Sequence, residues 1–326
     1  MTSLQALLQT QDYLVADGGM GTTLMKMGLG HGAPPEEWNL LHPERIRSIH
    51  RAYIEAGSQI VLTNSFGGTC FRLGLHKLQD RVHQLNAAAA KLARAEADAA
   101  GWPVIVAGSM GPSGEILEPL GERSFDEAKA GFAEQAAALA EGGVDVLWIE
   151  TMSDLAEVAA AAEGARQATD LPLVITMTFD TNGHTMMGVS PAKAVQALQK
   201  YSPLAVGGNC GNGVEELQAV IQQMYATDQT VPLVAKSNAG VPKWIDGAEQ
   251  YSAGPEEMAC YAVQVRNLGA TIIGGCCGST PEHIRLMSGR LKATPLERVG
   301  PSSNGATPAP RPERRSRRRA RMTNSE

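Results

Sequence analysis

Ala270-Thr271-Ile272-Ile273-Gly274-Gly275-Cys276-Cys277-Gly278 runs from an apolar, β-branched stretch straight into two glycines and a pair of adjacent cysteines. Residues of the first kind favour a buried strand, and the glycines mark its end. Segments rich in helix formers flank it, at 255–268 and 281–292. A strand between two helices is the repeating unit of α/β folds. The same shape occurs upstream in Leu204-Ala205-Val206-Gly207-Gly208-Asn209-Cys210-Gly211. Two strand-like runs thus end in Gly-Gly and deliver cysteine to a turn. Three converging thiols are what a zinc ion needs from a catalytic site that keeps its fourth position open.

Similar apolar runs recur along the chain at 13–16, 59–63, 104–107, 144–149, 173–177 and 233–235. Each ends at a polar or glycine-rich turn. With 204–206 and 270–273 they make eight expected strands. Helical segments are expected at 43–56, 80–99, from Ser124 to Gly142, and at 154–168, 191–200 and 214–225, besides the two already quoted. Ser124 and Glu127 have the spacing of a capping box. The strands are short and Val/Ile/Leu-rich, as parallel strands covered on both faces are. Eight such units predict a single (β/α)8 TIM barrel spanning 1–295. A doubly wound sheet is the alternative, but Asp17-Gly18-Gly19-Met20-Gly21 lacks the Gly-x-Gly-x-x-Gly turn of that fold. In a barrel, function sits at the C-terminal strand ends. There the chain offers Asp17, Asn64, Ser109, Glu150, Thr178, Cys210, Lys236 or Asn238, and Cys276 with Cys277.

Bulk properties narrow the class. The N-terminus lacks a basic segment followed by an apolar core, which predicts no secretory signal. No apolar run approaches the roughly 20 residues of a membrane span. Five cysteines, an odd number, argue against a disulfide framework and for a reducing compartment, hence a cytoplasmic location. Net charge is −6, although residues 301–326 hold seven arginines against two glutamates. The body is therefore more acidic than the total, which argues against a nucleic-acid partner. Pro and Arg dominate the end of the chain, and 296–326 is expected to form a disordered tail.

The quoted motifs resemble the homocysteine S-methyltransferase family over about residues 10–292. They are Asp17-Gly18-Gly19-Met20-Gly21-Thr22, Leu62-Thr63-Asn64-Ser65-Phe66, Trp148-Ile149-Glu150-Thr151, Gly208-Asn209-Cys210 and Gly274-Gly275-Cys276-Cys277-Gly278. With Trp38-Asn39-Leu40 and Met186-Met187-Gly188, the chain looks most like bacterial betaine–homocysteine methyltransferases. The resemblance implies an enzyme of methionine biosynthesis, with Zn2+ held by Cys210, Cys276 and Cys277. It implies that Asp17 and Glu150 hold the homocysteine ammonium, with backbone amides near Gly18 and Gly19 around the carboxylate. No general base is needed once a metal has taken the thiol proton. Open beside this stand a structural zinc completed by His283, and a non-enzymatic zinc-binding scaffold.

The methyl donor is less legible. Betaine or another onium compound would want aromatic faces. The resemblance points to Trp38, with Asn64, for the donor pocket. Two tyrosines of mammalian betaine enzymes are replaced here by Gly67 and Thr151, leaving Phe66, Trp244 or Tyr251 as substitutes. S-methylmethionine, S-adenosylmethionine or a separate methyl-corrinoid protein are the alternative donors.

Overall fold

The computed structural model describes residues 3–245 and 248–299. Its strands in chain order are β1 Leu14–Val15, β2 Ile60–Leu62, β3 Ile105–Met110, β4 Val146–Met152, β5 Leu173–Met177, β6 Ala205–Cys210, β7 Leu233–Ser237, β8 Pro242–Ile245, β9 Ala248–Tyr251 and β10 Ala270–Gly275. Eight of them form one parallel sheet in the order β1-β10-β7-β6-β5-β4-β3-β2. A parallel bridge between Ala16 and Ile60 joins its two ends, with Gln59 N donating to Val15 O at 2.7 Å and Asp17 N to Ile60 O at 3.0 Å. The sheet is therefore closed, and the fold is a (β/α)8 barrel.

Alternation along each strand sorts the side chains into two cores. Leu14, Ala16, Ile60, Leu62, Ile105, Ala107, Val146, Trp148, Val174, Ala205, Val234 and Ile272 form one cluster, the barrel interior. Their neighbours Val15, Val61, Val106, Leu147, Ile175, Val206 and Ile273 join the layer between barrel and helices. Continuing the inward parity by two residues reaches Ser109, Glu150, Thr176 and Lys236, and by four, past Gly207 and Gly274, Asn209 and Cys276. An apolar plug thus fills the barrel, and a polar tier lies directly above it.

All eight expected strands and eight expected helices form, and Ser124 and Glu127 make the capping box. Three differences are informative. Strands β3, β4 and β6 continue through Ser109, Glu150 and Cys210, which the sequence places in turns. Their inward side chains are polar because they line a mouth, while the backbone keeps its ladder. Second, Leu4–Thr10 is helical, capped by the Ser3 hydroxyl accepting from Ala6 N at 3.2 Å. Its Leu4 and Leu7 join the interior cluster and seal the barrel from below. Third, β8 and β9 form an antiparallel hairpin between β7 and β10. The arginine-rich stretch at 300–326 and the side chain of Trp244 lie outside the described residues, and among those described no helix is long and apolar enough to cross a membrane.

One core residue gives a pH-dependent stability. His50, on the helix Pro43–Glu55, is fully buried, and neither ring nitrogen has a hydrogen-bond partner among the described residues. Burial lowers its pKa from 6.5 to about 4. Between those values the unfolded chain binds the extra proton, so stability present above about pH 6.5 is lost as the pH falls toward 4. The loss amounts to about 3 kcal/mol at most. Urea midpoints should fall from pH 7 to pH 5, and His50→Leu should flatten that slope; equal slopes in both proteins would refute the assignment.

Candidate active site

The three cysteines meet at the C-terminal mouth of the barrel. Cys210 ends β6; Cys276 and Cys277 follow β10. Their sulfurs all lie within 4.8 Å of one another, with Cys210 Sγ and Cys276 Sγ 3.0 Å apart. β7 lies between the two strands and holds both cysteine turns. Ser237 O accepts from Cys276 N at 2.7 Å. Asn238 Oδ1 accepts from Cys277 N at 3.0 Å, and its Nδ2 donates to Gly211 O at 2.8 Å. One amide side chain therefore ties both sulfur-bearing turns together. Cys210 itself adopts a left-handed backbone, φ 59°, which swings its sulfur toward Cys276.

The three thiols are close enough to hydrogen-bond to one another. The Cys277 thiol is held well below its ordinary range by hydrogen bonds from Cys210 and Cys276, helped by the Tyr251 hydroxyl. Cys210 is raised because it donates to the other two and is buried.

Asp17-Gly18-Gly19 packs backbone to backbone against the cysteine turn. A Cβ on Gly19 would stand 2.7 Å from Cys276 O, and one on Gly274 2.9 Å from Asp17 O. Only glycine permits both approaches. Tyr53 locks the crossing, its hydroxyl 2.9 Å from Ser279 O and 3.2 Å from Gly19 O. Gly19 N is engaged by Ser279 O at 3.1 Å.

The acidic pair is buried: Asp17 is 2% and Glu150 6% exposed. Glu150 Oε1 accepts from Ser109 Oγ at 2.5 Å. Burial pushes its carboxyl up to about 7, against the opposing pull of Lys236. Asp17 Oδ1 is paired with Lys236 Nζ at 2.7 Å, and its Oδ2 accepts from Leu62 N at 2.7 Å. Desolvation works against the Lys236 charge, but Asp17 and Glu150 outweigh it and raise the pKa above the ordinary value. Lys236 also stands over the Trp148 ring at 5.7 Å. Asn209, next to Cys210, accepts at Oδ1 from Thr176 Oγ1 (2.6 Å) and Thr151 N (2.9 Å). It thereby holds the end of β4 beside Glu150. Sequence reading set Lys236, Ser109 and Asn238 on the rim without partners and gave Asn209 no role; inward parity from Ala107, Ala205 and Val234 was the available signal for the first tier.

The donor-pocket candidates are placed differently. Trp38 packs in the outer core, with the Arg45 guanidinium 5.0 Å over its ring and His42 against its edge at 4.6 Å. Asn64 donates to Pro35 O at 2.8 Å and Asn39 Oδ1 at 3.0 Å, fastening the segment before Trp38 to the end of β2. Both hold the long first loop on the barrel. Phe66 is partly exposed, and its ring presses on Gly111. Tyr251 reaches the sulfurs. His283 caps its own helix through Thr280, and its Nε2 meets Ala253 O at 3.2 Å; it does not join the cysteine cluster. A cavity of about 710 Å³ opens at the opposite face, beside Tyr13, Trp102 and Arg285. It lies at the strand N-terminal ends, away from this chemistry.

A family model described as homocysteine S-methyltransferase matches residues 14–291. The chain belongs to the homocysteine S-methyltransferase family. The methionine synthase of Mycobacterium leprae is 32% identical over 296 residues, covering 86% of this chain and 24% of that protein. That of Mycobacterium tuberculosis is 32% identical over 291 residues, covering 85% and 24%. The chain thus spans about a quarter of the length of these relatives. Among solved structures, the Escherichia coli homocysteine methyltransferase MmuM in its metallated form is 27% identical, with a TM-score of 0.75, covering 88% of this chain and 99% of that one. Its oxidized form gives 28% and 0.76 at the same coverage.

Proposed function

We propose that this protein methylates the thiol of homocysteine, giving methionine, with a zinc ion held by Cys210, Cys276 and Cys277. The observation that carries this reading is three sulfurs converging beside a buried acidic pair at the mouth of a barrel. The donor set suits zinc, since thiolates are favoured ligands and three protein ligands leave one position for a substrate. Cys210, Cys276 and Cys277 would hold the ion. MmuM, solved in a metallated form, supports the same assignment. When bound, the ion deprotonates a coordinated thiol, which otherwise stays protonated near neutrality with a pKa of about 8.5.

The remaining work is positioning. The substrate ammonium faces the Asp17–Glu150 pair and its carboxylate faces the turn at Gly18. An arriving ammonium favours ionised Glu150. Ser109 fixes that carboxylate, and Asn209 fixes the end of β4 behind it. Holding thiol and methyl donor in line is worth about 7–11 kcal/mol. No protein base is required.

Betaine or a related onium compound is the donor this reading favours, on the strength of the Trp38-Asn39-Leu40 likeness. Arg45 already lies over Trp38, and Gly67 and Thr151 supply no ring, so a donor cation would be held by other groups. A second reading, a methyl group from S-methylmethionine or from a separate corrinoid protein, draws support from the likeness to methionine synthases. The zinc-scaffold alternative gives the acidic pair nothing to do. Purified protein supplied with homocysteine and each donor in turn decides: methionine from betaine supports the first reading, and activity only with an added methyl-corrinoid protein overturns it.

A further inference from the structure

We infer that Glu216 is a positioning residue for the zinc ligand Cys210: its carboxylate fastens the turn that carries this cysteine to the loop after β5. The inference rests on the zinc reading above and adds a residue to it. Cys210 ends β6 and opens the turn Cys210-Gly211-Asn212-Gly213, which leads into the helix Val214–Thr227. Three of these four residues have positive φ: Cys210 at 59°, Gly211 at 72° and Gly213 at 120°. Glycine adopts such angles freely, whereas the side chain of Cys210 resists them. A left-handed cysteine persists only where its surroundings hold it.

The turn is held from both neighbouring strands, since β6 lies between β5 and β7. From β7, Asn238 Nδ2 donates to Gly211 O at 2.8 Å. On the β5 side the hold is Glu216. Its Oε2 accepts from Asn212 N at 3.2 Å, and its Oε1 accepts from Gly183 N at 3.0 Å. Asn212 Nδ2 adds a bond to Asp180 O at 2.7 Å. The anchor is itself stiff. Thr181 and His184 exchange backbone hydrogen bonds at 3.0 and 3.1 Å. Between them Asn182 and Gly183 have φ of 52° and 74°, the tight Asn-Gly turn of a hairpin.

Glu216 stands at the third position of its helix, from which a capping-box glutamate reaches back to the N-cap amide. The N-cap here is Gly213, which offers no side-chain cap. Glu216 reaches past it, to the cysteine turn and to a second loop. One carboxylate thus spans two backbone segments, and its removal frees the turn on the β5 side. Partners that orient a metal ligand without touching the ion are worth about 10- to 100-fold in metal affinity.

The test uses the full-length protein. Zinc affinity is measured by competition with a chromophoric chelator, the visible spectrum is recorded with Co2+ in place of zinc, and amide exchange is followed at Gly183. Glu216→Ala should weaken zinc binding about 10- to 100-fold and shift the cobalt bands. Glu216→Gln keeps one acceptor oxygen and should fall between that variant and wild type. Glu215, its exposed neighbour in the same first helical turn, is the control. Glu215→Ala removes the same charge from the helix N-terminus and should leave both zinc affinity and cobalt spectrum unchanged. Added zinc should slow exchange at Gly183 in wild type, and Glu216→Ala should abolish that response. Zinc affinity in Glu216→Ala within about twofold of wild type, an equal loss in Glu215→Ala, or an exchange response that survives in Glu216→Ala overturns the inference by showing that the carboxylate only caps its helix. If Glu216→Ala does not fold, Glu216→Gln against Glu215→Gln decides on the same measurements. Wild type that binds neither zinc nor cobalt overturns the zinc reading itself, an outcome distinct from wild type that binds zinc and a Glu216 variant that binds it equally well.

Discussion

Cys277→Ala should leave a folded protein that holds less than about a tenth of an equivalent of zinc and has lost homocysteine methylation by at least about 1000-fold. Outer-shell partners of a metal are worth about 10- to 100-fold in affinity or activity, and a direct thiolate is worth more. Folding should survive because the backbone of Cys277, not its sulfur, holds the turn: its N–H donates to Asn238 Oδ1 at 3.0 Å, and its carbonyl accepts from Ala239 N at 2.9 Å. The effect should be specific to the cluster. Cys260 is exposed, with Arg290 3.7 Å from its sulfur, and Cys260→Ala should change neither metal content nor rate. Elemental analysis, methionine formation and a circular dichroism melt on the two variants make the comparison. Full zinc and full activity in Cys277→Ala would refute the mechanism.

Gly207→Ala should cost about 3 kcal/mol or more, at the upper end of what overpacking does. A Cβ at Gly207 of β6 would stand 2.0 Å from Val234 O and 2.7 Å from Val234 C and N. These are backbone atoms of β7, so no side chain can swing aside. The two strands must part, and their separation carries Cys210 away from Ser237, its register partner. The variant should therefore lose urea stability and zinc affinity together. Gly289, on the helix Pro281–Ala293, faces open space: a Cβ added there would meet nothing within 4 Å. Gly289→Ala should stabilise by roughly 0.5–1 kcal/mol. A Gly207→Ala protein with an unchanged midpoint would show that the barrel yields at this contact.

The barrel was legible because each strand-helix unit repeats a local pattern that needs no distant information. Short apolar runs, glycine or polar stops, and helix caps such as Ser124–Glu127 are read from neighbours in sequence. The helix Leu4–Thr10 was missed because its seven residues gain stability by plugging the barrel, a contact with strands far along the chain. The strands β8 and β9 were missed for a related reason: four residues each, they are set by pairing with one another rather than by an apolar run. Strand ends at Ser109, Glu150 and Cys210 were cut short because a polar residue at the mouth looks like a turn.

By itself, the sequence determined the eightfold alternation and the delivery of Cys210, Cys276 and Cys277 to strand ends. Both follow from local propensity and period. Only the tertiary structure decided who meets whom at that rim. Asp17 and Lys236 are 219 positions apart and become partners because the sheet closes, setting β1 beside β10 and β10 beside β7 in one register. Trp38 likewise lies under Arg45 and Asn64 is bound to Asn39, choices made by how the long first loop folds over the barrel. A charge in the sequence has no assigned partner until burial removes water and leaves it one neighbour.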